Sequence, residues 1–199
     1  MPAKNEDLHG NAPDKAEVAV LLIDVINDLE FDGGKELLEH ALPAAKRIAA
    51  LKRRARQSGI PVIYVNDNFG RWQSDFKKLL AHCLEEGVCG RPLAEILRPD
   101  DDDYFVLKPK HSGFYSSTLD ILLQYLQAKK LVLTGLTGDI CVLFTANDAY
   151  MRDYHLFVPA DCVASEDPEE NRHALKHMHR VLKADIRPST EIMAELFGD

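Results

Sequence analysis

Apolar positions along the chain follow two alternating rhythms. Short continuous apolar runs read as strands buried on both faces, and stretches with apolar residues three and four apart read as helices. EVAVLLID, residues 17–24, is the first run and ends at Asp24. Ile48, Leu51 and Ala55 predict a helix from about Pro43 to Gln57, with Pro43 in its first turn and Gly59 as its stop. IPVIYVND is a second strand ending at Asp67. A helix is expected from about Ser74 to Leu84, then an irregular excursion over residues 85–103, where Gly87, Gly90, Pro92 and Pro99 fall. The third strand, YFVLK, ends at Lys108 and is broken by Pro109. Leu119, Leu122, Leu123 and Leu126 predict the next helix, capped by Ser117.

The stretch from 130 to 150, KLVLTGLTGDICVLFTANDAY, begins as a strand and ends as a helix. Leu131, Val132 and Leu133 form the apolar run, Gly135, Gly138 and Asp139 the turn, and Phe144, Thr145, Ala149 and Tyr150 the helical repeat. HLFVPADC is a fifth strand. Asp167-Pro168-Glu169-Glu170 opens a helix that carries Leu175, Met178 and Leu182 inward. ADIRPS reads as a short last strand and TEIMAELF as a closing helix. Strand and helix alternate with no internal repeat and no linker. The expectation is α/β: a single-domain, three-layer αβα fold around a mostly parallel sheet of about six strands. Residues 17–199 form this domain, after a flexible polar tail at 1–16.

Composition narrows the function classes. The 199 residues suffice for one full core, and 46% of them are apolar, as in ordinary globular proteins. No apolar run approaches the ~20 residues of a membrane span, and the N-terminus lacks the apolar stretch of a secretory signal. A net charge of −8 argues against nucleic acid or an anionic membrane as partner. Cys83, Cys89, Cys141 and Cys162 are expected as free thiols in a reducing cytoplasm. Cys83, Cys89 and His82 fit no common zinc spacing. Lys52, Arg53, Arg54 and Arg56 read as a solvated face, and Asp100 to Asp103 as a solvated turn. His173, His177 and His179 share a helix with no carboxylate or cysteine motif, which reads as an exposed polar face.

In open parallel sheets the ligand site lies beyond the carboxyl ends of the strands. There the chain delivers Asp24, Asp67, Lys108 and, one turn after the fourth strand, Cys141. A thiol at a helix N-terminus is expected to be biased toward thiolate; the competing reading is a cysteine filling a gap in the core. Lys108 would stabilise the anion, and Asp24 would take the thiol proton and return it to a leaving group. Singly, Asp24 could cap a turn and Lys108 could reach for solvent. Together with Cys141 they make a nucleophilic site.

At these residues the sequence resembles the isochorismatase-like cysteine hydrolases, the family of nicotinamidases and N-carbamoylsarcosine amidases. IDVINDLEF stands for the family's I-D-M-Q-N-D-F, KPKHSGF for K-x-R-Y-S-A-F, and TGLTGDICV for T-G-V-A-T-D-V-C-V. TANDA and PADCVAS match two further segments, and the likeness covers residues 17–193. It implies a catalytic triad of Asp24, Lys108 and Cys141. It implies a cis peptide between Leu136 and Thr137, and an oxyanion hole from the Thr137 and Cys141 N–H groups. It further implies hydrolysis of a C–N bond in a small amide, ureide or carbamoyl compound through a thioester, and a homo-oligomer, dimer or tetramer. Ile26, Gly113 and Thr137-Gly138 depart from the family pattern at positions expected to border the pocket. Where nicotinamidases carry an Asp-x-His metal motif, this chain has Asp67-Asn68-Phe69, so neither metal nor other cofactor is expected. Phe31, Trp72, Phe114 and Tyr115 lie on loops that could line a pocket for a small planar or apolar group. Three other readings stay open: vinyl-ether cleavage of the isochorismate type, a binding or assembly module on the same fold, and a phosphorylation receiver. A receiver would need an acidic pair at the first strand, where Val25 follows Asp24, and would end far short of residue 199.

Overall fold

The computed structural model describes residues 15–68 and 75–198. Five strands run β3 (Tyr104–Lys108), β2 (Val62–Asp67), β1 (Val18–Ile23), β4 (Lys130–Leu136), β5 (His155–Phe157), and β6 (Val163–Ala164) also pairs with β4. Every pairing between these strands is parallel. Burial on both faces explains the unbroken apolar runs. Along β1, Val18, Val20 and Leu22 join one core cluster and Ala19, Leu21 and Ile23 the other. The first cluster is covered by α1 (Gly34–Gln57), α2 (Phe76–Cys83), α3 (Arg91–Ile96) and α7 (Ser189–Phe197). The second is covered by α4 (Leu119–Tyr125), α5 (Leu143–Tyr150) and α6 (Pro168–Leu182). The architecture is the expected three-layer αβα sandwich. Among the described residues no helix is long and apolar enough to cross a membrane.

Several element boundaries differ from expectation. The first helix starts at Gly34 and carries Pro43 in its interior. Leu37, Ala41, Ala44, Ala45, Ile48 and Leu51 are all buried along it, so one apolar stripe runs through the proline. Pro43 itself is exposed. The segment expected to be irregular contains α3, and the Gly90 N–H at its start donates to the Asp28 carbonyl (2.7 Å). The fifth strand stops at Phe157, because Val158 N–H turns to the Asp185 carbonyl (2.7 Å) and Pro159 has no N–H. The expected strand at ADIRPS contributes a single bridge, Phe157 to Asp185. Ser117 accepts from Leu119 N–H (3.1 Å) but stands one residue before Thr118, which holds the cap position it was expected to fill. Leu122 is only half-buried on that helix.

In the two charged runs read as solvated, Arg53 and Asp100 to Asp102 are exposed, but Lys52 and the Asp103 side chain are buried. Lys52 is 6% exposed. Its ammonium meets Asp103 (2.6 Å), Asp100 (2.9 Å), the Tyr64 hydroxyl (3.0 Å) and the Arg98 carbonyl (2.9 Å). Arg56 joins the same carboxylates. This cluster ties α1 to the turn before β3. A buried ammonium needs such partners, and local charge density in a sequence does not reveal them. The expected tail at 1–16 lies outside the described residues except Lys15 and Ala16. Ala16 is already buried, and its N–H donates to the Leu126 carbonyl (2.7 Å).

Candidate active site

The strand order turns back on itself at β1, which has β2 on one side and β4 on the other. A crevice opens at such a point, beyond the carboxyl ends of the strands. Asp24 follows β1 at φ 51°, a left-handed turn that aspartate tolerates better than most residues. Lys108 ends β3, and Cys141 lies in a π-type turn, Gly138–Val142, between β4 and α5. β3 and β1 are separated by β2, roughly 10 Å in all. The lysine stem and the Asp24 side chain close that distance from opposite sides, to 2.8 Å between ammonium and carboxylate.

The Lys108 ammonium is wholly buried and meets the Asp24 carboxylate at 2.8 Å, the Cys141 sulfur at 3.5 Å and the Lys110 carbonyl at 3.2 Å. It also meets Asp67 at 3.4 Å. Asp24 is held from its other oxygen by Asp67 N–H (2.7 Å). The structure thus brings together Asp24, Lys108 and Cys141 as the sequence places them. Burial pushes the Asp24 carboxyl up, against the charge and hydrogen bond of Lys108, which pull it down. Burial alone would lower Lys108, but the Asp24 charge and then that of an ionised Cys141 hold it above its ordinary value. Cys141 is pushed up by burial and then by Asp24, with Lys108 opposing. Burial and Asp24 thus act against the thiolate bias expected of a helix N-terminus, and Lys108 acts for it.

The loop after β3 folds back against α5. Gly113 N–H donates to Thr145 Oγ1 (2.9 Å), whose hydroxyl donates to the Cys141 carbonyl (2.7 Å). Ser112 hydrogen-bonds Asp148. This return places the exposed His111 with Nδ1 3.9 Å from the sulfur and its ring 5.4 Å from that of Phe144. His111 and the contact of Asp67 with Lys108 were not legible beforehand. The only signal for His111 is its place three residues after Lys108, and that spacing does not reveal a loop folded back on α5.

The four aromatic residues expected at the pocket separate. Phe31 and Tyr115 are exposed. Phe114 is buried, with its ring 4.7 Å from the Arg152 guanidinium and 6.1 Å from the Tyr154 ring, so it is a core residue. Trp72 lies outside the described residues. Ile26 and Gly113 are buried too. The Leu136–Thr137 peptide bond is cis.

Asp67 is where a metal motif would begin, and its carboxylate already faces the Lys108 ammonium. Among the described residues, metal-ligand atoms come within 4.8 Å of one another at Asp28, Glu30 and His82. His82 is paired there with Asp28 (3.4 Å) and Glu85 (3.5 Å). His173, His177 and His179 are exposed, as expected.

Residues 18–186 match the isochorismatase domain model. The chain belongs to the isochorismatase family. It is 44% identical to the uncharacterized isochorismatase family protein YaaI of Bacillus subtilis (strain 168), over 90% of this chain and 98% of that one. The pyrazinamidase/nicotinamidase of Streptococcus mutans UA159 superposes with a TM-score of 0.66 at 31% identity, covering 85% of this chain and 99% of that one. The N-carbamoylsarcosine amidase of Thermoplasma acidophilum gives 0.65 at 29% identity, covering 87% and 96%. This isochorismatase-family chain is accordingly a hydrolase, and the relatives it matches include amidases.

Proposed function

We propose that the protein is a cysteine amidohydrolase acting on a small amide, ureide or carbamoyl compound, with Asp24, Lys108 and Cys141 as its catalytic residues. The observation that carries this reading is the single ammonium of Lys108 reaching both Asp24 (2.8 Å) and the Cys141 sulfur (3.5 Å) in a buried crevice. Asp24 takes the thiol proton as sulfur attacks the carbonyl carbon. The C–S bond forms, and negative charge moves to the carbonyl oxygen. The N–H groups of Thr137 and Cys141 receive that oxyanion, which is where an acyl-transfer site gains most. Asp24 then hands its proton to the departing nitrogen as the C–N bond breaks, leaving a thioester. Water gives a proton to Asp24 and attacks the thioester. The acid departs, and the proton returns to sulfur. Lys108 offsets the negative charge that passes between carboxylate and sulfur. The raised proton affinity of Asp24 suits a group that must accept and then release a proton.

Cys141→Ala is expected to lower ammonia release by about a thousandfold or more while the far-ultraviolet circular dichroism stays that of the parent. The assay is a panel of nicotinamide, N-carbamoylsarcosine and simple ureas and carbamates. Turnover retained in that variant would sink the mechanism.

A further inference from the structure

The turn that carries the sulfur is gripped from beneath by two side chains outside the triad. Ser165 directly follows β6 and is 1% exposed. Its oxygen accepts from Asp139 N–H (3.3 Å) and lies 2.7 Å from the Asp139 carboxylate. It also lies 3.1 Å from Asn171 Oδ1. The hydroxyl has one hydrogen for these two acceptors, and the nearer, acidic one takes it. Asn171 sits in the first turn of α6, where its N–H donates to the Asp167 carbonyl (3.0 Å) and its Nδ2 to the Val163 carbonyl (3.2 Å). Gly138 is pressed onto this pair: a Cβ there would lie 2.1 Å from Asn171 Oδ1 and 2.6 Å from Val163 Cγ1. Close approach, not an unusual φ, is what requires glycine at 138.

Gly138 and Asp139 lie between Thr137 and Cys141. Other amides of the turn are committed: Asp139 N–H to Ser165, and Ile140 and Val142 N–H to the Thr137 carbonyl (3.2 and 3.1 Å). We infer that Ser165 and Asn171 are positioning residues that clamp Gly138–Asp139 and so fix the directions of the Thr137 and Cys141 N–H groups. The inference rests on the thiol-hydrolase reading above. It separates two properties of the site. Asp24 and Lys108 govern the sulfur's reactivity, and the clamp governs where charge on a carbonyl oxygen is received. A displacement of about 1 Å in such donors costs about a hundredfold in rate.

Two probes that share the sulfur but differ in the oxyanion test this without a known substrate. With p-nitrophenyl acetate the sulfur attacks the carbonyl, the C–S bond forms, 4-nitrophenolate leaves and Asp24 keeps the thiol proton. An oxyanion develops on the way. Iodoacetamide alkylates the same sulfur with loss of iodide and no oxyanion. In Ser165→Ala and in Asn171→Ala, Cys141 acylation is expected to fall about a hundredfold, while its alkylation, read by peptide mass, keeps the parent rate. Cys141→Ala supplies the background for both probes. A loss of both rates together, or of neither, overturns the clamp. If Ser165→Ala does not fold, Asn171→Ala decides alone, because it removes no buried hydroxyl. A parent protein that the ester does not acylate overturns the hydrolase reading, and the clamp with it.

Discussion

Asp24 is the residue on which the proposed chemistry turns, because it must be a carboxylate when the thiol approaches carbonyl carbon. Burial raises its proton affinity and Lys108 only partly cancels that. As pH falls through a raised pKa, Asp24 holds its proton and can no longer take the one on sulfur. The acid limb of kcat/KM is therefore expected above the ordinary aspartate value of about 4. A pH profile on whichever panel amide is hydrolysed checks this, and a limb at or below that value contradicts it. The residues of this site were legible because each ends or follows an apolar run that is plainly a strand. His111 was not, since its approach to sulfur depends on Ser112 and Gly113 binding α5. Lys52 was misread for a related reason. Its neighbours Arg53, Arg54 and Arg56 resemble it in sequence, and only α1's packing against the turn before β3 distinguishes it.

At the scale of elements, α1 shows what sequence rules weigh wrongly. A proline inside a helix forfeits a hydrogen bond and crowds the preceding turn, which costs about 3 kcal/mol. Local logic therefore starts the helix at Pro43. The stripe from Leu37 through Ala41 to Ile48 overrides it, because each of those side chains is buried against the sheet. The penalty remains in the folded protein. Pro43→Ala restores an N–H and loses little packing, since the ring is exposed. It also frees the unfolded chain, which returns up to about 1 kcal/mol of the gain. The net expectation is a stabilisation of about 2 kcal/mol, read from urea unfolding. No gain, or a loss, would mean that Pro43 is needed for α1 to follow the sheet. Short elements were the least legible. β6 has two residues and α3 six, too few for a period to be counted.

At the scale of the whole molecule, alternation of strand and helix was enough to give layers, sheet and the edge at which a site opens. Strand order was not legible, and it is what sets Asp24 and Lys108 face to face across β2. The pair therefore belongs to the sheet as much as to the chemistry. Lys108 is fully buried and Asp24 nearly so. Removing one member of a buried pair leaves a charge without its partner and costs about 3–5 kcal/mol, whereas removing both is far milder. Lys108→Met is the harsher single change, because it leaves the Asp24 and Asp67 carboxylates facing each other with no ammonium between them. Asp24→Asn is gentler, since Asp67 still meets Lys108 at 3.4 Å. The double variant should be more stable than the sum of the two losses predicts, by about 1–3 kcal/mol. Denaturant unfolding of the three variants and the parent closes that cycle. Additive losses would show that the two charges do not sense each other. The ammonium would then be a poor candidate for the group that balances charge between carboxylate and sulfur.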